Sequence, residues 1–149
     1  MTEILYSPMA GKTVDLDYVN DEVFSRRLLG DGVAIIPEGE EVFSPADGII
    51  KMIYDTKHAI GIEMSSGFEI LLHMGIDTVT LDGIPFDTKV KIGDVVKKGD
   101  LLTVVDWSYV QKQGCEAIVP VLVINQKVRT LTKKKNVQPG DELLEVDVK

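Results

Sequence analysis

Apolar positions along the chain gather into short runs of strand length, punctuated by glycine, proline and acidic turn residues. TVDL at 13–16 is brief, and GVAIIP at 32–37 is a compact apolar run. EVFSPADGIIKMIY at 41–54 reads as two extended segments about an Asp47-Gly48 turn. HAIGIEM at 58–64 and FEILLHM at 68–74 flank Ser65-Ser66-Gly67. DLLTVVD at 100–106 and AIVPVLVI at 117–124 add strands, and ELLEVDV at 142–148 closes the chain. Helical signals are confined to two places. DEVFSRRLL, within Asp17–Leu29, predicts a short helical turn packed by Val23, Phe24 and Leu28. WSYVQKQ at 107–113 has Asp106 as N-cap and Gly114 after it. The pattern predicts an all-β domain, a compact sandwich of short strands with small helical decorations.

KIGDVV at 91–96, KKGDLL at 97–102 and QPGDEL at 138–143 each place Gly-Asp at a turn with apolar residues after it. Gly93, Gly99 and Gly140 are expected at positive φ.

The two histidines, His58 and His73, both fall in strand-like runs. His58 shares a face with Ile60, Ile62 and Met64, and His73 shares one with Glu69 and Leu71. A two-residue turn at Ser65-Ser66 sets His58 opposite His73, and a turn at Ser66-Gly67 moves the partner by two on the same side. A three-residue loop separates the histidines onto opposite faces. Directly opposed side chains have Cβ atoms roughly 4.5–5.5 Å apart. Two adjacent imidazoles can share a metal edge, act as base and orienter, or pass and stabilise a phosphoryl group. Spacing does not choose among these.

Length and charge narrow the partners. At 149 residues the chain is read as one domain, burying about two-thirds of its unfolded surface on folding. Its net charge of −8 argues against a nucleic-acid backbone or an anionic membrane as partner. Cys115 is the single cysteine, which fits a reducing compartment. MTEILYSPMAGK has neither the basic nor the apolar region of a secretory signal, and the longest apolar run, at 117–124, is interrupted by Pro120. A soluble cytoplasmic protein is expected. The start at Met1 and the end at Val148-Lys149, without a trailing linker, fit a free-standing protein. HExxH, Gly-x-Ser-x-Gly, Walker A and dinucleotide fingerprints are absent, and an open catalytic zinc site needs three protein ligands. Phosphotransfer on a histidine needs no bound nucleotide when the donor is itself a phosphoprotein.

The chain resembles the glucose-family IIA domain of the bacterial phosphoenolpyruvate-dependent sugar phosphotransferase system, from about residue 5 to 147. His73-Met74-Gly75-Ile76-Asp77-Thr78-Val79 matches the segment of the phosphorylated histidine, and Thr56-Lys57-His58-Ala59 that of the second active-site histidine. Ser7-Pro8-Met9-Ala10-Gly11, Gly30-Asp31-Gly32-Val33-Ala34-Ile35 and Ser44-Pro45-Ala46-Asp47-Gly48 agree as well. The resemblance implies an antiparallel β-sandwich with a shallow apolar depression around two histidines. It implies that His73 takes a phosphoryl group on its tele nitrogen from the carrier protein HPr and hands it to the IIB domain of a sugar permease. His58 stabilises that group, and Thr56 orients an active-site imidazole. Val23, Phe24, Leu28, Tyr54, Leu71 and Val79 match the family's apolar docking rim, and Asp21 and Asp77 match carboxylates beside it. No cofactor is implied, and the sugar is not bound directly. A zinc ion shared by both histidines and a partner glutamate occurs in one complex of the family, and the free domain requires none. Tyr54 and Leu71 stand where enteric members carry phenylalanines, and Lys57 replaces an asparagine. The alternative is a biotinyl- or lipoyl-like carrier module, but the tip near Asp47-Gly48 lacks a lysine flanked by methionines, and Lys51 and Lys57 lie elsewhere.

Overall fold

The structure, a computed structural model, describes residues 2–132 and 136–147. In chain order its strands are β1 (Thr2–Tyr6), β2 (Gly11–Val14), β3 (Gly30–Pro37), β4 (Glu41–Phe43), β5 (Gly48–Ile53), β6 (Ala59–Glu63) and β7 (Glu69–His73). There follow β8 (Phe86–Thr88), β9 (Val95–Val96), β10 (Leu101–Val105), β11 (Val119–Ile124), β12 (Val128–Thr130), β13 (Asn136–Val137) and β14 (Glu142–Asp147). Two short helices, α1 (Glu22–Ser25) and α2 (Trp107–Lys112), and two 3-10 turns complete the described elements. All strand pairings are antiparallel. Expectation and structure agree on an all-β sandwich. The residue Val148, expected to extend the last strand, lies outside the described residues.

One sheet runs β13-β2-β3-β11-β7-β6-β5-β9, and two smaller ones run β1-β14-β12 and β4-β10-β8. The inner face of the large sheet contributes Ile35, Ile60, Ile62, Ile70, Leu72 and Val121 to a core shared with Leu5, Val42, Leu102 and Leu144 of the smaller sheets. Its outer face carries a second cluster, in which Ala34, Ala59, Leu71 and Leu122 meet Leu16, Val19, Phe24, Ile76 and Ile118. The site is built on that outer face.

The three Gly-Asp turns have one geometry. Gly93, Gly99 and Gly140 adopt φ of 94, 92 and 91°, a region open to glycine without steric cost. The carboxylates of Asp94, Asp100 and Asp141 accept the N–H of the residue three back at 2.9, 2.8 and 2.9 Å. Each turn docks on one backbone residue. Gly93, Gly99 and Gly140 donate to the carbonyls of Ile50, Ser44 and Ser7, whose own N–H groups donate to the carbonyls of Asp94, Asp100 and Asp141. Tyr6 N–H bonds the Pro45 carbonyl while Phe43 N–H bonds the Pro8 carbonyl.

These reciprocal bonds and the sheet order together describe an approximate two-fold relation, with Val121 and Leu72 paired at its centre. Val121 pairs with Val33 as Leu72 pairs with Ile60. Counting outward, Leu122 occupies the place equivalent to His73, and Asp31 that equivalent to His58. The histidines therefore distinguish one half of the sheet from the other.

Two local expectations change. Asp47-Gly48 does not close a hairpin, because β4 pairs with β10 and β5 with β6 and β9. Asp47 instead accepts the Lys98 N–H at 2.8 Å, and a Cβ on Gly48 would meet the Glu63 carbonyl oxygen at 2.5 Å. Close backbone approach, not a hairpin turn, explains the glycine. The carrier-module alternative has no hairpin tip there. In the helical turn expected within 17–29, only Phe24 of the three expected packing residues is buried, while Val23 and Leu28 face outward. Helix 107–112 forms as expected, with Asp106 accepting the Tyr109 N–H and Gly114 at φ 81°.

Candidate functional site

His73 is the last residue of β7, and the loop after it fixes its ring. Gly75 has φ of 86°, and a Cβ there would lie 2.5 Å from Thr78 Cγ2. Glycine at this position lets the loop fold back, so that His73 Nδ1 meets the Gly75 carbonyl oxygen at 2.7 Å. A carbonyl can only accept, so Nδ1 carries the proton and the lone pair sits on Nε2. Thr78 Oγ1 donates to the Met74 carbonyl at 2.8 Å, and the Ile118 carbonyl accepts the Gly75 N–H at 2.9 Å. Ile76 makes an antiparallel bridge to Glu116. The run from His73 to Thr78 is thus a rigid support for one imidazole.

His58 reaches the same place by an unexpected route. The β6–β7 loop has three residues: Glu63 pairs with Glu69, and Met64 N–H donates to the Phe68 carbonyl. In this register Ala59, not His58, is the partner of His73, and regular alternation would send the histidines to opposite faces. The rings nevertheless lie 4.9 Å apart between centroids, edge to face at 77°. His58 precedes β6, at the exit of a turn in which Lys57 N–H bonds the Tyr54 carbonyl and Lys57 adopts φ of 61°. Regular strand alternation thus ends at this turn, and the His58 ring lies against that of His73.

Both rings have further partners. His58 Nδ1 is hydrogen-bonded to Thr56 Oγ1 at 2.6 Å, and Tyr54 meets the His58 ring edge-on at 5.0 Å. Phe24 packs on His73 with centroids 4.8 Å apart. His58 is only 3% exposed, whereas His73 is partly open to solvent. Burial, and then the neighbouring His73, push the His58 pKa down to about 4. Burial also lowers that of His73, opposed by the Gly75 carbonyl and by the Asp21 and Asp77 carboxylates. Both imidazoles are neutral at pH 7. Two histidines fall short of the three ligands of an open zinc site. Among the described residues no three His, Cys, Asp or Glu side chains converge as a metal-binding set. Zinc at this pair needs a ligand from elsewhere.

The expected rim residues divide by burial. Leu28, Tyr54 and Val79 are exposed, Val23 is at the surface, and Asp77 is open to solvent. Phe24 and Leu71, at 3% and 4% exposure, belong to the outer-face core beneath the rim. Phe24 is therefore a packing partner of His73, a contact that strand or helix periodicity does not signal. Beside Tyr54 and Leu71 lies an apolar cavity of about 180 Å³, also lined by Leu29, Met52, Gly61 and Ile124. A larger one, about 700 Å³, lies beside Arg27, Asp31 and Lys127 and includes neither histidine. No helix among the described residues is long and apolar enough to cross a membrane.

Comparison with known proteins identifies the family. Residues 3–129 match the family described as phosphoenolpyruvate-dependent sugar phosphotransferase system, EIIA 1. The chain is 41% identical over 143 residues to the glucose-specific EIICBA component of the same system in Staphylococcus carnosus, covering 95% of this chain and 21% of that protein. It is 42% identical over 147 residues to the glucoside-specific EIICBA component of that organism, covering 97% and 21%. The chain thus spans about a fifth of the length of these relatives. Among solved structures, glucose permease IIA from Mycoplasma capricolum superimposes with a TM-score of 0.91 at 37% identity, covering 97% of this chain and 96% of that one. A family match over most of the chain, a shared fold and a histidine pair on the same sheet face lead to one conclusion: the chain belongs to the glucose-type EIIA 1 family of the phosphoenolpyruvate-dependent sugar phosphotransferase system.

Proposed function

We propose that this domain is a phosphoryl carrier: His73 accepts the group from phospho-HPr and passes it to the IIB domain of a sugar permease, in the cytoplasm. The observation that carries the reading is the commitment of His73 Nδ1 to the Gly75 carbonyl, beside a second imidazole 4.9 Å away. With Nδ1 protonated, Nε2 is the nucleophile. Its lone pair forms the new N–P bond as the N–P bond to the HPr histidine breaks, and the phosphoryl group moves in line between two nitrogens. Positive charge then develops on the His73 ring. The groups that hold its pKa up against burial, the Gly75 carbonyl, Asp21 and Asp77, favour that charge.

His58 is not phosphorylated in this scheme. The scheme takes the Thr56 hydroxyl as donor in its 2.6 Å hydrogen bond with His58 Nδ1, which leaves Nε2–H as donor to the equatorial phosphoryl oxygens. Leu28, Tyr54, Val79 and Val23 form the apolar docking surface, with Asp21 and Asp77 meeting basic residues of the partner. Phe24 and Leu71 support it from below. The domain contacts proteins only, so sugar selectivity resides in the membrane component.

The relay is tested with purified enzyme I, HPr, phosphoenolpyruvate and a IIB domain. Nitrogen–phosphorus coupling should place the phosphoryl group on His73 Nε2, and added IIB should discharge it. A phosphoryl group on Nδ1, or one that no IIB domain removes, contradicts the scheme.

A further inference from the structure

Residues 15–29 leave the large sheet after β2 and rejoin it at β3, and this arm carries Asp21 and Phe24 to His73. Its regular structure is one 3-10 turn at Leu16–Tyr18 and the four-residue α1, so helix formation alone does not place it. Leu16, Val19 and Phe24 anchor one side by burial.

The other side is held by the Arg27 guanidinium, besides the Asn125 N–H that donates to the Leu29 carbonyl at 2.9 Å. Arg27 Nη2 reaches Asp15 Oδ1 at 3.0 Å, Nη1 reaches Asp17 Oδ1 at 2.8 Å, and Nε reaches Asp31 Oδ1 at 3.1 Å. Nη1 also donates to the Ser25 carbonyl at 3.1 Å. Asp15 and Asp17 open the arm, Arg27 ends it, and Asp31 belongs to β3. Asp31 is itself held, accepting the N–H groups of Gly32 and Val128. One side chain thereby ties both ends of the arm to the sheet. Arg27 does this at φ of 55°, in the left-handed region where a glycine would sit without strain. A planar fork of five N–H donors serves three carboxylates and the Ser25 carbonyl at once, four acceptors in fixed directions, whereas an ammonium has three donors.

We propose that Arg27 is a positioning residue that closes the 15–29 arm, setting the Phe24 ring against the His73 imidazole and Asp21 beside it. Its meaning for phosphoryl transfer rests on the carrier reading, whereas its effect on the His73 ring does not. The groups facing that ring are His58, Asp21, Asp77, the Gly75 carbonyl and Phe24.

The test is ring NMR of labelled wild-type protein, Arg27→Met and Arg27→Lys, with thermal melts alongside. In Arg27→Met the Phe24–His73 ring contact is lost and the His73 pKa rises, because relief of burial, the largest influence on that ring, outweighs the opposing loss of the nearby Asp21 charge. Arg27→Lys lies between Met and wild type. Acceptance from phospho-HPr falls by about tenfold or more in the Met variant, the scale of a small misplacement. Should Arg27→Met fail to fold, the Asp15→Asn, Asp17→Asn double variant frees one end of the arm and is expected to show the same shift, smaller. A folded Arg27→Met, or the folded double variant in its place, with unchanged ring contact and His73 titration overturns the proposal, whatever its melting temperature. These readouts use free protein. Wild-type protein that never accepts phosphate would sink the carrier reading and leave this one standing.

Discussion

His58 and His73 meet ring to ring at 4.9 Å although the residue paired with His73 across the β6–β7 ladder is Ala59. Their approach depends on the turn before β6, where Lys57 takes a left-handed conformation, and on the loop after β7, where Gly75 does. Two non-repetitive segments at the ends of adjacent strands thus build the pair, and the sheet supplies a rigid base.

The pair leaves a signature in stability against pH. His58 has a folded pKa of about 4, against 6.5 for a free imidazole, and that of His73 is lowered too. Between these values the unfolded chain binds protons that the folded one does not. Stability therefore rises with pH through this window, is fully present above it, and is lost as pH falls toward 4. His58 alone contributes about 3 kcal/mol at most. Denaturant unfolding from pH 4 to 7 should show the slope, and His58→Gln should flatten it. An identical slope in the variant contradicts the buried neutral His58.

His58→Gln also separates accepting from passing on. The variant should still take phosphate from HPr, while its transfer to IIB slows by about 10²-fold or more, the usual loss when a preorganised donor is removed. Rapid-quench transfer at the wild-type rate removes His58 from the mechanism.

How much was legible in sequence depended on how local the cause is. Gly93-Asp94, Gly99-Asp100 and Gly140-Asp141 announce their turns because glycine and aspartate satisfy the backbone within four residues. The helix at 107–112 was legible for the same reason. β1, β8, β9, β12 and β13 were missed, because segments held chiefly by pairing to distant strands need no strong pattern of their own. The histidine pair was anticipated through two-residue registers, yet the loop has three residues and regular alternation ends at the turn that holds Lys57. The inward turn of Phe24 and the Arg27 cluster follow from long-range closure of the 15–29 arm. A one-turn helix has too few residues to display an amphipathic period.

Phe24 and Leu28 are four residues apart, and their substitutions should differ in kind. Phe24→Ala empties a core position against His73 and should cost about 3–5 kcal/mol of stability. Leu28, 61% exposed, should change stability by roughly 0.5 kcal/mol or less on replacement by alanine. Leu28→Ala should instead weaken HPr binding by about 1–2 kcal/mol. Calorimetric titration with parallel melts checks both. A destabilised Leu28→Ala with unaltered affinity contradicts the assignment.

Gly75→Ala should damage the site from behind. Its φ of 86° and the 2.5 Å approach to Thr78 force the loop to shift, at a cost of about 1–3 kcal/mol. The displaced carbonyl no longer selects one tautomer, so the His73 ring nitrogens should report a mixture. Ring ¹⁵N shifts identical to wild type would show that Gly75 does not set the tautomer.

The most direct test of the central claim is phosphoryl stoichiometry. With phosphoenolpyruvate, enzyme I and HPr, the wild-type protein should gain one acid-labile phosphoryl group by intact mass, and His73→Gln should gain none. Labelling of a folded His73→Gln protein to one equivalent would contradict the account, because the nucleophile would then lie elsewhere.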